Sequence, residues 1–257
     1  MHASFDTVGS IAILPQNLKR SEAKIIAKKL LEQHKGILTV LYKSGRVKGR
    51  LRKPELTFMA GERTFEAIHK ESNCIIKVNL KECFFSPRLS NDRLDIARQV
   101  KKGEKILVMF SGVAPLPLVI AKNSKPSVIY AVELNKAATK YAKENVKLNK
   151  LDNIIILQGD AKKAIQNFKK KQIKFDRIVM PRPQLKDDFL KEAFSVAKKG
   201  AIINFHDFLQ EREINQSIAN ILKKAKQSKR KVKILRWKKA GDIGPYKYRI
   251  RIDFVVL

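Results

Sequence analysis

Two acidic residues follow neighbouring predicted strands in the centre of the chain. The apolar run Lys105–Phe110 predicts a buried strand that breaks at Ser111-Gly112 into a helix. Glu133 ends the next predicted strand, about 20 residues further on, and Asp160 follows the third. An acid after the second strand is placed to accept hydrogen bonds from ribose hydroxyls, and one after the third can accept from an adenine amine. The spacing therefore predicts a cofactor that contains an adenosyl group.

The turn after the first strand argues against a dinucleotide. Ala114 stands where the second glycine of a GxGxxG motif would lie, and a pyrophosphate needs the close approach that glycine permits. The alternative, an α/β domain whose acids only cap helices, stays open because a fold alone does not fix a function.

The elements that must position these residues alternate between strand and helix after Leu89, which predicts a mostly parallel α/β sheet. Strands are predicted at Lys105–Phe110, Ser127–Leu134, Asn153–Gln158, Phe175–Met180 and Ala201–Phe208. Helices are predicted at Asn91–Lys101, Pro115–Ala121, Lys136–Asn149, Gln184–Ala197 and Glu211–Ala225. Lys231–Lys238 and Tyr248–Leu257 alternate in a way typical of an antiparallel edge pair.

The first third of the chain predicts a small α+β module with one helix. The helix is expected at Ser21–His34, and strands at Val8–Pro15, Ile37–Tyr42, Gly49–Ala60, Thr64–Lys70 and Cys74–Val78. We therefore expect two domains, residues 1–89 and 90–257.

The charge of the chain is strongly positive. Its 55 Lys and Arg against 24 Asp and Glu give a net charge of +31, which favours a nucleic-acid partner. A lysine-rich proteome is the alternative, but such enrichment usually brings glutamate as well.

Other residue types exclude several classes of protein. Cys74 and Cys83 lie in strand-like runs without a CxxC or Cys/His cluster, so we expect buried thiols and neither a zinc site nor a disulfide. His206 and Asp207 are expected to shape a pocket rather than bind a metal. The chain shows neither a signal-peptide pattern nor an apolar run of membrane-spanning length, which predicts a cytoplasmic protein with no membrane partner.

Four segments together resemble the archaeal and eukaryotic tRNA (guanine-37-N1)-methyltransferase family. They are Phe84–Arg93 (FFSPRLSNDR), Val108–Pro115 (VMFSGVAP), Ala131–Asn135 (AVELN) and Asp176–Pro183 (DRIVMPRP). Phe5–Leu14 and Gly241–Phe254 are also similar to the family's first strand and its C-terminal strand pair. The resemblance covers nearly the whole chain.

The resemblance implies a class I (Rossmann-like) methyltransferase domain with a seven-stranded, mostly parallel sheet, preceded by an α+β domain that grips the tRNA anticodon stem-loop. The implied cofactor is S-adenosylmethionine, and the implied product is N1-methylguanosine 3′ of the anticodon. Family members often carry a further domain that reads the tRNA elbow; we expect this chain to lack it and to be a monomer, and how the elbow is recognised stays open.

The resemblance also implies roles for individual residues. Asp92 matches the family's glutamate and is the candidate general base, although an acid at this helix start equally stabilises the first turn. Arg52 matches an arginine that reaches the target guanine, where a guanidinium would hold O6 or else a phosphate. Pro181 stands where the family has an asparagine, so the Met180 carbonyl is expected to face the base instead.

The remaining candidates fall into two groups. Cofactor binding is expected from Phe84, Arg88, Phe110, Gly112, Glu133, Leu134, Asp160, Met180 and Pro181. RNA binding is expected from Arg50, Arg52, Lys53, Arg93 and Arg182, with cofactor-carboxylate binding or orientation of Asp92 as alternatives for Arg88 and Arg93.

Three other functions stay open. A relative in wybutosine synthesis transfers the aminocarboxypropyl group of the same cofactor, and another methylates a ring carbon of a tricyclic guanosine derivative. A catalytically silent RNA-binding protein is the third alternative.

Overall fold

The N-terminal part of the protein forms a four-stranded sheet covered by one helix. The computed structural model describes residues 4–45, 49, 51, 53–181, 187–244 and 246–257. The strands are β1 (Asp6–Val8), β2 (Ile11–Leu14), β3 (Thr39–Lys43) and β4 (Leu56–Gly61), in that spatial order. Helix α1 (Arg20–Gln33) joins the parallel strands β2 and β3, and its apolar side, which includes Ala27 and Leu30, packs with Leu14 and Val40.

A hairpin of two strands follows, and then the large sheet begins. The hairpin strands are β5 (Glu66–Glu71) and β6 (Cys74–Asn79). The remaining strands are β7 (Lys105–Met109), β8 (Val128–Glu133), β9 (Ile154–Gln158), β10 (Phe175–Met180), β11 (Ala197–Leu209), β12 (Val232–Gly244) and β13 (Lys247–Val256). The helices between them are α2 (Ser90–Gln99), α3 (Pro115–Asn123), α4 (Lys136–Leu148), α5 (Ala161–Lys170), α6 (Leu190–Val196) and α7 (Ile214–Gln227).

The large sheet has seven strands in the order β12-β13-β11-β10-β7-β8-β9. Strands β9, β8, β7, β10 and β11 are parallel, whereas β13 pairs antiparallel with both β11 and β12. The chain moves outward from β7 to β9 on one side and then returns to β10 on the other. The carboxyl ends of β7 and β10 therefore form a topological switch point, where ligands bind in open α/β sheets.

Alternate residues of each central strand face two separate helical layers. In β7, Ile106 and Val108 pack with residues of α2, α3 and α4, while Leu107 and Met109 pack with residues of α5, α6 and α7. Apolar runs without polar interruption are expected of parallel strands covered on both faces. The result is a three-layer αβα sandwich.

The hairpin β5–β6 is fixed to the outer surface of α4 by two asparagines. The amide of Asn145 donates to the Lys77 carbonyl at 2.9 Å and accepts from the Lys77 N–H at 2.8 Å, and Asn149 makes the same pair of bonds with Ile75. The division of the chain at residue 89 stays a prediction.

The predicted fold class is confirmed, with differences at several elements. Helix α5 was not predicted, although Ala161, Ile165 and Phe168 form a buried stripe at helical spacing. Strand β4 begins at Leu56 rather than at residue 49, and β11 begins at Ala197 rather than at residue 201. Among the described residues, no helix is long and apolar enough to cross a membrane.

Candidate active site

A cavity of about 920 Å³, counting its open mouth, lies at the carboxyl ends of β7 and β10. Seven residues predicted from the sequence line it: Phe84, Asp92, Arg93, Phe110, Gly112, Glu133 and Pro181. The switch-point geometry therefore brings together residues that lie far apart in the chain.

The turn between β7 and α3 forms one wall of this cavity with a contorted backbone. Phe110, Gly112 and Ala114 all have left-handed φ values, of 56°, 58° and 65°. Such conformations are costly for residues other than glycine and cluster at ligand sites. Ser111 lies within this turn, and its hydroxyl oxygen is one of two buried side-chain polar atoms in the described residues without a hydrogen-bond partner. A ligand in the cavity would supply the missing partner.

Glu133 ends β8 and holds the same turn. Its Oε2 accepts from the Gly112 N–H at 2.8 Å, and its Oε1 accepts from the Asn135 N–H at 2.7 Å. Asn135 in turn caps α4 through the Ala137 N–H at 3.0 Å. The carboxyl group is therefore fixed at the cavity wall, at the end of the second strand, where the ribose-binding prediction puts it.

Three other predicted cofactor residues lie behind this wall rather than on it. Asp160 caps α5 by accepting from the Lys162 N–H at 2.8 Å. Leu134 is half-buried next to Glu133, and Met180 is buried at the end of β10. None of these three lines the cavity.

Asp92 lies in α2 with 6% of its surface exposed, between His206 and Arg251. Its Oδ2 is 2.8 Å from the Nε2 of His206, and its Oδ1 accepts from the Nη1 of Arg251. Burial raises the pKa of Asp92, but the charges of His206, Arg251 and Arg249 outweigh burial and lower that pKa overall. The carboxyl group is therefore ionised where it meets the cavity.

The partners of Asp92 were missed in the sequence, apart from the expectation that His206 shapes the pocket. Arg249, Arg251 and Asp253 alternate along β13 and face α2, and all three are at most 6% exposed. Arg251 bonds to Asp253 at 2.9 Å, and the Nη1 of Arg249 donates to the Pro181 carbonyl at 2.8 Å. The sequence did contain a signal for these partners: charged residues stand at every second position of β13, and the residues between them are apolar.

Arg93 is buried in an ion pair with Glu71, which argues against the RNA contact predicted for it. Its Nε and Nη2 each lie 2.5 Å from a carboxylate oxygen of Glu71, and its Nη2 also donates to the Ser86 carbonyl at 3.2 Å. Only 7% of the side chain is exposed. Arg93 thus ties the hairpin to α2.

A second cavity of about 1350 Å³, again counting open solvent, adjoins the first. Phe84, Leu89 and Arg249 line both cavities. Arg88 faces the second cavity, with its Nε 2.5 Å from Asp6 Oδ1, so it does not lie in the wall where cofactor binding was expected.

The predicted RNA contacts are only partly within the described residues. Arg50, Arg52 and Arg182 lie outside them. Lys53 is exposed, and Leu51 beside it lines the first cavity. Among the described residues, no group of three or more His, Cys, Asp or Glu is arranged to hold a metal ion.

Comparisons with known proteins identify the family. The TRM5/TYW2 methyltransferase domain matches residues 67–235, and the TYW2 N-terminal domain matches residues 1–64. The tRNA (guanine(37)-N(1))-methyltransferase Trm5b of Pyrococcus abyssi is 34% identical, over 98% of this chain and 74% of its own. Its crystal structure superposes with a TM-score of 0.86 over the same shares of the two chains. The chain belongs to the TRM5/TYW2 methyltransferase family.

A second relative matches over its full length. The tRNA (guanine(37)-N(1))/4-demethylwyosine(37)-methyltransferase Taw22 of Nanoarchaeum equitans is 34% identical, over 99% of this chain and 100% of its own. The family therefore includes relatives with more than one activity at the same tRNA position.

Membership of the TRM5/TYW2 family confirms the predicted cofactor, S-adenosylmethionine, and makes the chain an S-adenosylmethionine-dependent transferase. The chemical groups in the wall of the first cavity suit this cofactor. Glu133 offers a fixed carboxylate, the Gly112 backbone permits close approach, and the Ser111 hydroxyl has no partner in the part of the chain that the structure describes.

Proposed function

We propose that this protein transfers the methyl group of S-adenosylmethionine to N1 of guanosine 37 in tRNA. The observation that carries the proposal is the ionised carboxylate of Asp92 in the wall of the cavity that Glu133 and Gly112 also line. Guanine N1 carries a proton that must leave as the new bond forms, and a carboxylate at the site can accept it.

Different residues of the chain have different roles in that transfer. The cofactor, when bound, supplies an electrophilic methyl group on a sulfonium. Ser111, Gly112 and Glu133 hold the cofactor, and Asp92 receives the proton from the base. Arg249 secures the Pro181 carbonyl at 2.8 Å and so shapes the side of the cavity where the family's asparagine would stand.

The second cavity gives the target base a route to Asp92. It lies against both the N-terminal sheet, through Asp6, Ile13 and Lys43, and the first cavity, through Phe84 and Leu89. We propose that the domain of residues 1–89 grips the anticodon stem-loop so that nucleotide 37 enters here. In support, a homologue 26% identical to this chain, with a TM-score of 0.85, has been solved as a complex of aTrm5 and tRNALeu.

The basic charge of the chain suits this substrate. A net charge of +31 attracts the phosphate backbone and speeds encounter with tRNA. Lys53 is exposed, two positions after Leu51 of the first cavity's lining. Arg50, Arg52 and Arg182 stay predicted contacts.

A second candidate is methyl transfer to C7 of 4-demethylwyosine at the same position. Pro181 has no side-chain amide with which to read guanine, which favours this candidate. The tRNA 4-demethylwyosine(37)-methyltransferase Taw21 of Saccharolobus solfataricus is 30% identical, over 96% of this chain and 92% of its own.

Nucleoside analysis of two tRNA substrates separates these candidates. One tRNA carries guanosine at position 37, and the other carries 4-demethylwyosine there; both are incubated with the protein and cofactor. We expect N1-methylguanosine from the first, and an Asp92→Asn variant that still binds the cofactor is expected to form it about 100-fold more slowly. A product from the second tRNA alone that has gained one methyl group would replace the proposal with the C7 candidate, and one that has gained an aminocarboxypropyl group would show aminocarboxypropyl transfer. No product from either would favour a silent RNA-binding protein.

A further inference from the structure

His206 lies between two hydrogen-bond acceptors. Its Nε2 is 2.8 Å from Asp92 Oδ2, and its Nδ1 is 3.2 Å from the carbonyl oxygen of Met180. The ring is 2% exposed and lines the first cavity together with Asp92. Both contacts are therefore shielded from bulk water.

Two hydrogen bonds from the ring of His206 require a proton on each ring nitrogen. A neutral imidazole beside a carboxylate has only one proton for the two contacts. A neutral imidazole donates from one nitrogen and presents a lone pair at the other. A backbone carbonyl and an ionised carboxylate only accept, so one lone pair of a neutral His206 would face an acceptor. A proton shared between His206 and Asp92 removes that conflict.

The charged groups around the pair favour placing this proton on the imidazole. From β13, Arg251 donates to Asp92 and lies opposite His206 in the β11–β13 pairing, while Arg249 lies on the same face of that strand. From α2, Asp95 bonds to Arg251, and Asp253 in β13 does so as well. Met180 in β10 offers only its carbonyl oxygen. Arg251 thus keeps Asp92 ionised, and the second proton site of the pair is His206.

We propose that Asp92 and His206 act as one proton-accepting pair, in which Asp92 takes the proton that leaves the target base and His206 stores it. The inference rests on the proposed function, since it concerns the proton released by that transfer. The purine nitrogen bonds to the methyl carbon, the carbon–sulfur bond breaks and its electron pair stays on sulfur. The N–H proton passes to Asp92 Oδ2 and then to His206 Nε2, from which it returns to solvent before the next turnover.

The pair resolves a difficulty that Asp92 alone would face. A carboxylate bonded to an arginine has little affinity for a proton, whereas a general base works best when its pKa lies near the working pH. Imidazole is the side chain whose ordinary pKa lies closest to neutrality. Before transfer, Asp92 and His206 share no proton, so a lone pair on His206 Nε2 faces Asp92 Oδ2. The repulsion between these two atoms increases the affinity of the two residues for the proton.

The test is the pH dependence of the single-turnover rate in a His206→Gln variant. Glutamine keeps a donor toward Asp92 but cannot store a proton. In the unsubstituted protein, we expect the rate to rise with pH as the pair loses its proton. In His206→Gln, we expect a rate about 100-fold lower and no rise over roughly pH 5 to 8. The dissociation constant for S-adenosylmethionine should change by less than about twofold, because the variant leaves Ser111, Gly112 and Glu133 in place.

His69→Gln provides a matched control. His69 also lies beside a carboxylate, with its Nε2 3.5 Å from Glu71 Oε2, but it does not line the first cavity. Its pH profile should match that of the unsubstituted protein. If His206→Gln instead keeps both the rate and the rising profile, His206 only supports the structure and the inference is wrong.

A nitrogen-15 titration of the histidine rings tests the pair without requiring activity. In the cofactor-free protein, we expect both ring nitrogens of His206 to be protonated at about pH 6, and Asp92→Asn to move that titration to lower pH. A neutral His206 throughout roughly pH 5 to 8 would overturn the inference even if methyl transfer occurs. If no tRNA product forms while the titration behaves as expected, the proposed function fails and the proton pairing stands.

Discussion

Arg251 and Asp92 form a buried ion pair across 159 positions of sequence, with Arg251 fully buried in β13 and Asp92 in α2. Arg251 also bonds to Asp253 at 2.9 Å, and Asp253 accepts from Asn204 at 2.6 Å. Removing a charge from water costs free energy that a single partner seldom restores, so buried ions are found with several. This network fixes the ionised carboxylate of Asp92 beside the first cavity.

Ser111→Ala should weaken cofactor binding without harming the fold. The hydroxyl of Ser111 has no protein partner among the described residues, so its loss leaves the cofactor-free protein as stable as before. One lost hydrogen bond, about 0.5–1.5 kcal/mol, raises the dissociation constant for S-adenosylmethionine by roughly 2- to 10-fold. Calorimetric titration measures this change.

Ser124→Ala is the control for that measurement, because its hydroxyl already donates to the Ile120 carbonyl at 2.6 Å. It should lower the stability slightly and leave the dissociation constant unchanged. Equal cofactor affinity in Ser111→Ala and the unsubstituted protein would remove Ser111 from the cofactor site.

Glu133→Gln and Asp160→Asn should differ in their effect on cofactor affinity. The amide of glutamine cannot accept from both the Gly112 and Asn135 N–H groups, so we expect the dissociation constant to rise by at least about tenfold, or ~1.4 kcal/mol. Asparagine caps a helix as well as aspartate does, so Asp160→Asn keeps α5 and should change the constant by less than about twofold. A large loss in Asp160→Asn would instead assign Asp160 to the adenine amine.

Substitutions of Arg93 and Lys53 should have different effects: Arg93 should matter for stability, and Lys53 for tRNA binding. Arg93→Met leaves the buried Glu71 without its arginine partner and should lower the free energy of unfolding by roughly 3–5 kcal/mol, with no change in the salt dependence of tRNA binding. Lys53→Ala should leave stability unchanged and reduce the slope of log affinity against log salt by about 0.7–0.9, the effect of one phosphate contact. A reduced slope in Arg93→Met would restore the RNA role to that residue.

Acid should destabilise the protein partly through Asp95. Burial raises the pKa of Asp95, but bonds from Arg251 and Lys238 and the charges of Arg251 and Arg236 lower it from 3.8 to about 2. A depressed pKa contributes stability that is complete above 3.8 and is lost as the pH falls toward 2. The stability advantage of the unsubstituted protein over Asp95→Asn in urea unfolding should therefore shrink over that window.

Asp207→Asn should show the opposite dependence. Burial raises the pKa of Asp207 above 3.8, so ionising this group costs stability as the pH increases. The free energy of unfolding of the variant should therefore increase relative to that of the unsubstituted protein as the pH rises. Parallel stability curves for all three proteins would contradict the electrostatic account of both carboxyl groups.

Local patterns in the sequence were enough to predict the parallel sheet and the cofactor edge. The apolar run of β7, the acid at the end of β8 and the turn at Gly112 are each encoded within a few residues, so the wall of the first cavity could be predicted. Helix α5 was missed because lysines dominate Ala161–Lys170, although its three buried residues keep helical spacing.

The environment of Asp92 depends on pairings that no local pattern encodes. Arg251 meets Asp92 only because β13 inserts antiparallel beside β11 and brings its charged face under α2. Arg93 was assigned to RNA because its partner Glu71 lies 22 positions earlier, in a hairpin whose position against α2 the sequence does not indicate.

The identity of the transferred group tests the central claim most directly. Single-turnover reactions with tRNA carrying guanosine 37, and in parallel with tRNA carrying 4-demethylwyosine 37, would use S-adenosylmethionine labelled either in the methyl group or in the carboxyl group. The account predicts that the methyl label enters the tRNA, is recovered in N1-methylguanosine, and enters slowly with Asp92→Asn. Recovery of the carboxyl label in the tRNA would show aminocarboxypropyl transfer and contradict the account.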